Sequence, residues 1–317
     1  MMSLAKMVEV WRGSLVESQH FGVAAVANAQ GELVAGWGDS GLVTYPRSAL
    51  KPVQAIALVE SGAYAQRGLS LRHLALACAS HRAEPMHCAL ASDWLNTMGL
   101  DQQALLCGPD SPYDEAAAAK AIVDGQPRQR IFNNCSGKHC GFLALSQHHG
   151  WPLDSYDDLQ HPAQQHYLDA LAELSGLDAA GVPFGVDGCA LPAAAMSVAA
   201  GARMMARFAQ ARVASPARAA AIRTIQDAMR SHPELISGAS QPGVAFVRVT
   251  AGRILIKTGA EGFLSACIPA QGLGIALKIA DGEARARRLP SRTNGTKPAA
   301  GASAPSTRPT GGLPPGA

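Results

Sequence analysis

Tyr45-Pro46-Arg47-Ser48-Ala49-Leu50-Lys51 opens an apolar segment that closes at Ser61-Gly62, and Ile254-Leu255-Ile256-Lys257-Thr258-Gly259 ends a second one about two hundred residues later. The first reads as the start of a helix over 48–62. Ser48 caps or opens it, Pro52 stands near its first turn where a missing N–H costs least, and Ser61-Gly62 stops it. The second reads as a strand, Arg253–Lys257, that ends in a turn. A helix near one end of the chain and a strand near the other, each bearing a lysine, frame what lies between.

Working outward, residues 7–17 and 21–37 read as strands around the turn-like cluster Asn28-Ala29-Gln30-Gly31. Leu74 to Ala79 is a short apolar run, strand-like or helical, that ends at Ser80. Helical patterns follow over 85–98, 115–124, 137–147, 161–177, 192–214 and 217–231. Val244–Val249 reads as a strand joined to Arg253–Lys257 by Ala251-Gly252, and Phe263–Ile268 and Gly274–Ile279 read as two more. Strands, then a long helical middle, then strands again predict an α+β chain in which the terminal strands share one antiparallel sheet. No internal repeat is visible. Residues 1–288 form the folded unit in this reading. Residues 289–317 hold six prolines, two leucines and no aromatic residue, too little apolar surface to fold, and read as a disordered tail.

Composition narrows the function classes. No uninterrupted apolar stretch is long enough to cross a membrane, and Met1 to Glu17 has no apolar core followed by a small-residue cleavage site. A cytoplasmic protein with no membrane partner is the expectation. Seven cysteines, an odd number, fit a reducing compartment where thiols are free, bound to metal or packed in the core. The net charge of +3 misleads, because six basic and no acidic residues follow Glu283; without them residues 1–283 carry −3. The folded part therefore offers no basic face to a nucleic acid.

The opening stretches also carry chemistry. A serine and a lysine three residues apart on a helix share a face. A buried lysine that loses its proton is a base for that serine. Lys-Thr-Gly at a strand end is the usual distant partner of Ser-x-x-Lys in acyl-serine enzymes, and together they point to amide hydrolysis through an acyl-enzyme. Alone, each has a plainer reading, as a capping serine with a solvated lysine and as a strand-end turn. Ala79-Ser80-His81-Arg82 supplies a second serine, placed to work with Lys257; its plainer reading is a polar loop. Asn133-Asn134-Cys135-Ser136-Gly137-Lys138-His139-Cys140-Gly141 is the densest polar cluster and poor core material. It offers amides and hydroxyls to a polar ligand, or Cys, Lys, His and Cys to a metal. Gly185-Val186-Asp187-Gly188-Cys189 adds a Gly-rich turn with a thiol, so Cys135 and Cys189 could share a zinc, although the paired C-x-x-C spacing of structural zinc sites is missing. His148, His149, His161, His166 and His232 stand at helix ends or on polar faces.

In combination and order, these stretches resemble the asparaginase II family, the L-asparaginases of the rhizobial inducible type. Arg12-Gly13, Val16-Glu17-Ser18, Tyr45 to Lys51, Cys78-Ala79-Ser80-His81, Asn133 to His139, Gly185 to Cys189, His232-Pro233-Glu234 and Lys257 to Gly262 carry the resemblance over residues 7–288. It implies a β-lactamase/glutaminase-like fold, a homodimer, and hydrolysis of L-asparagine to aspartate and ammonia. It implies two Ser–Lys pairs, with Ser48 as nucleophile, Lys51 as its base, and Ser80 with Lys257 as the second pair. It implies a supporting zinc on Cys135, Lys138 and Cys189. Arg47, His81, Asn133, Asn134, His139, Asp187, Gly259 and Glu261 are then the candidates for holding a small-molecule substrate. Glutaminase or another acyl-serine amidohydrolase, and a catalytically impaired zinc or amino-acid binder, are the alternatives. Two departures stand out. Gly238-Ala239-Ser240-Gln241-Pro242-Gly243 lacks the arginine expected in a Gly-Thr-Gly-Arg-like stretch, and a Pro/Arg-rich tail follows Gly282 where the family continues with a helix.

Overall fold

Strands from both ends of the chain build one sheet in the computed structural model, which describes residues 3–287 and 296–298. In chain order the strands are β1 (Ala5–Arg12), β2 (Leu15–Ala27), β3 (Leu33–Trp37), β4 (Val43–Thr44), β5 (Phe184–Val186), β6 (Pro192–Ala194), β7 (Met196–Ser197), β8 (Leu255–Thr258), β9 (Phe263–Ile268), β10 (Leu273–Ile279) and β11 (Thr296–Pro298). The helices are α1 (Lys51–Gln54), α2 (Ile56–Glu60), α3 (Ala63–Gln66), α4 (Leu71–Ala77), α5 (Pro85–Thr97), α6 (Glu115–Val123), α7 (Ser136–His149), α8 (Pro162–Ser175), α9 (Val198–Gln210), α10 (Pro216–Ser231), α11 (Pro233–Ser237), α12 (Pro242–Val249) and α13 (Ala284–Arg287). The main sheet runs β11-β1-β2-β10-β9-β8, with β3 also paired to β2 and every pairing antiparallel. The α+β plan read from the sequence is the one observed. The remaining residues of the 289–317 tail lie outside the described residues.

The long strand β2 joins the two ends of the chain. Its first half pairs with β1, and Gly22 to Ala27 pair with Ile279 to Gly274 of β10. On this sheet lies α9, capped by the Ser197 hydroxyl, which accepts the Ala200 N–H at 3.1 Å. Its facing residues are small: Ala202 and Ala206 are fully buried against Val23, Ala25 and Ala276. Gly274 makes the approach possible, since a Cβ there would stand 2.0 Å from the Ala206 nitrogen and 2.3 Å from the Ala202 carbonyl. The helical middle closes a larger core around Trp94, Tyr167, Leu74 and Phe208. Among the described residues no helix is long and apolar enough to cross a membrane.

Four local expectations are corrected. Val244–Val249 is helical, not a strand: Pro242 opens α12, and Val244 and Val247 are buried three residues apart, a helical spacing that β-branched composition concealed. The helix over 48–62 is broken. A 3₁₀ turn covers Arg47–Leu50, and α1 and α2 follow as separate short pieces. The segment 192–214 begins as β6 and β7 and turns helical only after its Ser197 cap. The first strand divides at Gly13, whose φ of 59° makes a tight turn between β1 and β2.

The close approach of α9 to β10 leads to a prediction. Gly274→Ala forces backbone against backbone, so it should lower stability by about 1–3 kcal/mol. Chemical denaturation should show a lower midpoint with an unchanged slope.

Candidate active site

The last residue of α4 is followed by Cys78-Ala79-Ser80, and Ser80 is fixed by its own backbone: its N–H donates to the Ile236 carbonyl at 2.8 Å. Two lysines converge on its hydroxyl. Lys257 Nζ, from edge strand β8, lies 2.9 Å from Ser80 Oγ, and Lys51 Nζ, from α1, lies 3.2 Å from it. Both lysines are 1% exposed. The N–H groups of a buried lysine need acceptors, and each lysine donates to backbone carbonyls. Lys51 donates to Ala79 O and, at 3.3 Å, to Asn134 O; Lys257 donates to Thr258 O at 2.9 Å.

The Ser80–Lys257 pairing anticipated from the sequence is therefore present as a hydrogen bond. The side-chain bonds of Lys51 differ from the anticipated pairing: they go to Ala79, Ser80 and Asn134, and Ser48 is not among them. Ser48 and Lys51 stay on one side of the chain, since the Lys51 N–H donates to the Ser48 carbonyl across the 3₁₀ turn; the acceptors of the buried amine nonetheless come from elsewhere in the chain. Ser48 is half-buried in the 3₁₀ turn that packs against β8. The Lys-Thr-Gly turn is pressed onto the same segment. A Cβ on Gly259 would sit 2.2 Å from the Pro46 carbonyl, so glycine is what lets β8 close against Pro46-Arg47-Ser48.

Around this centre the other motif residues take several roles. Arg47, held at a positive φ of 52°, donates through Nε to Asp187 at 2.8 Å, and the same carboxylate oxygen accepts the Gly188 N–H at 2.7 Å. Burial works to raise the Asp187 pKa, but Lys138 and Arg47 outweigh it and hold the carboxyl below its ordinary value. Asn133 shapes the loop: its amide donates to Gly108 O and its Oδ1 accepts the Cys135 N–H, both at 3.0 Å. The Asn134 carbonyl accepts from Lys51 and from the His81 N–H. His81 is buried, accepts the Ala83 N–H on Nδ1 and so presents Nε2–H to Ser136 Oγ at 2.8 Å. His139 is buried with Nδ1 2.7 Å from the Tyr156 hydroxyl. Glu261 stands apart. It is exposed at φ 51°, its carbonyl accepts from Lys278 Nζ, and its carboxylate lies against Gly282. Ser136 and Tyr156 are partners that the sequence does not single out: Ser136 is one residue of a polar run, and nothing local marks Tyr156 among Asp154, Asp157 and Asp158.

Cys135, Lys138 and Cys189 form a compact group. Lys138 Nζ is 2.9 Å from Cys189 Sγ, and Cys135 Sγ is 3.0 Å from Asn134 Oδ1. A hydrogen bond from Cys135, with Lys138 alongside, brings the Cys189 thiol down to about 5 against the opposing effect of burial. That same bond and burial push Cys135 up to about 12. Burial disfavours the Lys138 charge, but Cys189, Cys135 and Asp187 together raise its pKa above the ordinary lysine value. Among the described residues no group of three or more His, Cys, Asp or Glu is arranged to hold a metal. The two sulfurs are donors that suit zinc, whereas Lys138 could join them only after losing the proton that its surroundings favour.

Beside the Lys257 strand lies a cavity of about 130 Å³ lined by Ser237, Gln241, Thr258, Val247 and Leu264 among others, with no charged residue in its lining. Gln241, the departure noted in the sequence, faces this space at the start of α12. The loop before it is held by Glu84, whose carboxylate accepts the Ala239 N–H at 3.2 Å.

Comparison with known proteins places this site in context. No curated protein matches the chain. Among solved structures it is similar to a β-lactamase from Mycobacterium bovis (15% identity, 84% of this chain and 89% of that chain covered, TM-score 0.45). It is similar to Mglu in its native form (15% identity, 84% and 61% covered, TM-score 0.46), of which it spans about three fifths. A putative β-lactamase from Bacteroides dorei is also similar (13% identity, 82% and 87% covered, TM-score 0.44). The family model described as L-asparaginase II matches residues 8–290, nearly the whole folded chain and every motif described above. The chain therefore belongs to the L-asparaginase II family and is an amidohydrolase.

Proposed function

We propose that the chain hydrolyses L-asparagine to L-aspartate and ammonia through an acyl-serine intermediate. The observation that carries this reading is the convergence of Lys51 and Lys257 on Ser80 Oγ beside Ser48. In the first half-reaction Ser48 Oγ bonds to the side-chain amide carbon. Its proton passes to a neutral lysine amine and on to the departing nitrogen, which leaves as ammonia. In the second half, water bonds to the same carbon, the ester C–O bond breaks, and the proton returns to Ser48. Ser80, hydrogen-bonded to both lysines, passes protons between them. Asp187 holds the Arg47 guanidinium in place beside the nucleophile, where it can meet a carboxylate.

A zinc ion fits as a supporting group. Cys135 and Cys189 would supply sulfur and Lys138 an amine, once Lys138 has given up its proton. A bound zinc would order the loops that carry Asn134 and Asp187. A homodimer acting on a small amide in the cytoplasm completes the reading. A second reading, an enzyme weakened in its grip on the substrate carboxylate, is favoured by the uncharged cavity that contains Gln241.

Three outcomes test these statements. Ser48→Ala should lower ammonia release from L-asparagine by about a thousandfold or more, read as kcat/KM, while L-glutamine supports slower turnover in the parent chain. Full activity in that variant would remove Ser48 as nucleophile. Gln241→Arg should lower KM for L-asparagine by about tenfold if the cavity receives the carboxylate, since a charge-assisted pair is added; an unchanged KM would dismiss the second reading. In the metal-free chain, the Cys189 pKa of about 5 lies below the ordinary thiol value of 9.0. Its contribution to stability is then complete above the unfolded-state pKa and is lost as pH falls through about 5. Denaturation of the parent and of Cys189→Ser should therefore diverge at neutral pH and converge near pH 4, and metal analysis should show no zinc retained by the variant.

A further inference from the structure

We infer that Tyr156 is a positioning residue that locks His139 as a permanent hydrogen-bond donor through Nε2, aimed at an oxygen of the bound ligand. The ligand half of this inference rests on the function proposed above; the lock itself does not.

The lock follows from counting donors and acceptors. The Tyr156 hydroxyl is fully buried and has one hydrogen to give. It accepts the Leu106 N–H at 2.7 Å, and its other partner is His139 Nδ1, also at 2.7 Å. Were Nδ1 to carry a hydrogen, the phenol oxygen would receive two donors, and its own hydrogen would be left buried without an acceptor. A buried unmade hydrogen bond is the costlier alternative. The phenol O–H therefore points at Nδ1, and the ring hydrogen resides on Nε2. The position of Tyr156 is itself secured. Its carbonyl accepts from Gln164 Nε2 at 2.7 Å, and its ring stacks on Phe142 at 6.3 Å with an 11° angle.

His139 Nε2 is buried and has no hydrogen-bond partner among the described residues. A donor fixed in that state calls for an acceptor. The residue sits one position after Lys138 on α7, and the charges of Lys138, Cys135 and Lys51 act on its ring. A carbonyl or carboxylate oxygen of a small amide or amino acid, bound at the Ser80–Lys51 centre, is the acceptor of matching chemistry. With its hydrogen on Nε2 and Nδ1 engaged by Tyr156, His139 also offers no lone pair to a metal, although it lies next to the Cys135–Lys138–Cys189 group.

Ring-nitrogen NMR of isotopically labelled protein tests both halves, with His139→Gln assigning the signal. The parent chain should show one bare nitrogen and one N–H, the latter at Nε2. Tyr156→Phe keeps the stacked ring but removes the hydroxyl, and should yield the Nδ1–H tautomer or a mixture. An imidazolium or Nδ1–H ring in the parent, or an unchanged pattern in the variant, overturns the lock. L-aspartate is the probe for the ligand half. Its binding should shift the His139 Nε2–H resonance, and Tyr156→Phe should weaken that binding about tenfold. Aspartate that binds without moving this resonance overturns the donor role. If aspartate fails to bind at all while the lock holds, the asparaginase reading fails and takes the ligand role of His139 with it.

Discussion

One hydroxyl shared by two buried lysines is the constraint around which the chain is arranged. A lysine removed from water loses its hydration, and only a full set of acceptors offsets that loss. Lys51 and Lys257 find theirs in Ser80 Oγ and in the carbonyls of Ala79, Asn134 and Thr258. Those carbonyls come from three separate parts of the chain: the end of α4, the loop before α7, and β8. The lysines therefore pin together the sheet edge and the helical middle at Ser80. Ser80 Oγ would keep one donor if either lysine were removed, whereas the Ala79 carbonyl would lose its bond to Lys51.

The sheet explains how such distant residues meet. β8 is an edge strand, and Lys257 points from it into the interior, while Gly259 lets its turn lie on the Pro46 carbonyl. β3 flanks β2 on the side away from β10, so the chain must cross the sheet after β3 to bring the Ser48 segment against β8 and β9. Close seating of α9 on the sheet, permitted by Ala202, Ala206 and Gly274, leaves the helical middle in reach of that edge. A second polar group stands next to the first: Lys138 donates to Cys189 Sγ, and Arg47 is paired with Asp187.

The strand–helix–strand order was legible because periodicity is local, and Ser80 with Lys257 could be read from motifs. Lys138 as the companion of Cys135 and Cys189 was legible only through the family resemblance, because the group joins residues about fifty positions apart. Errors arose where local signals compete. The valines of 244–249 have strand propensity, yet burial at Val244 and Val247 follows a helical period and tertiary packing prevails. Ser48 and Lys51 stay on one side of the 3₁₀ turn, but the hydroxyl that receives Lys51 belongs to Ser80, which no spacing within that segment announces.

The amino-acid sequence by itself determined the class of chemistry and the family, since Ser-x-x-Lys, Lys-Thr-Gly and the Asn133–His139 run are contiguous groupings whose residue types already specify what they can do. Only the tertiary structure decided who bonds to whom. Lys51 goes to Ser80, His81 to Ser136, and His139 to Tyr156, each across at least 17 positions of chain. A hydrogen bond depends on a few tenths of an ångström and on which atom carries the hydrogen, and both are set by packing between segments rather than by the order of residues within one.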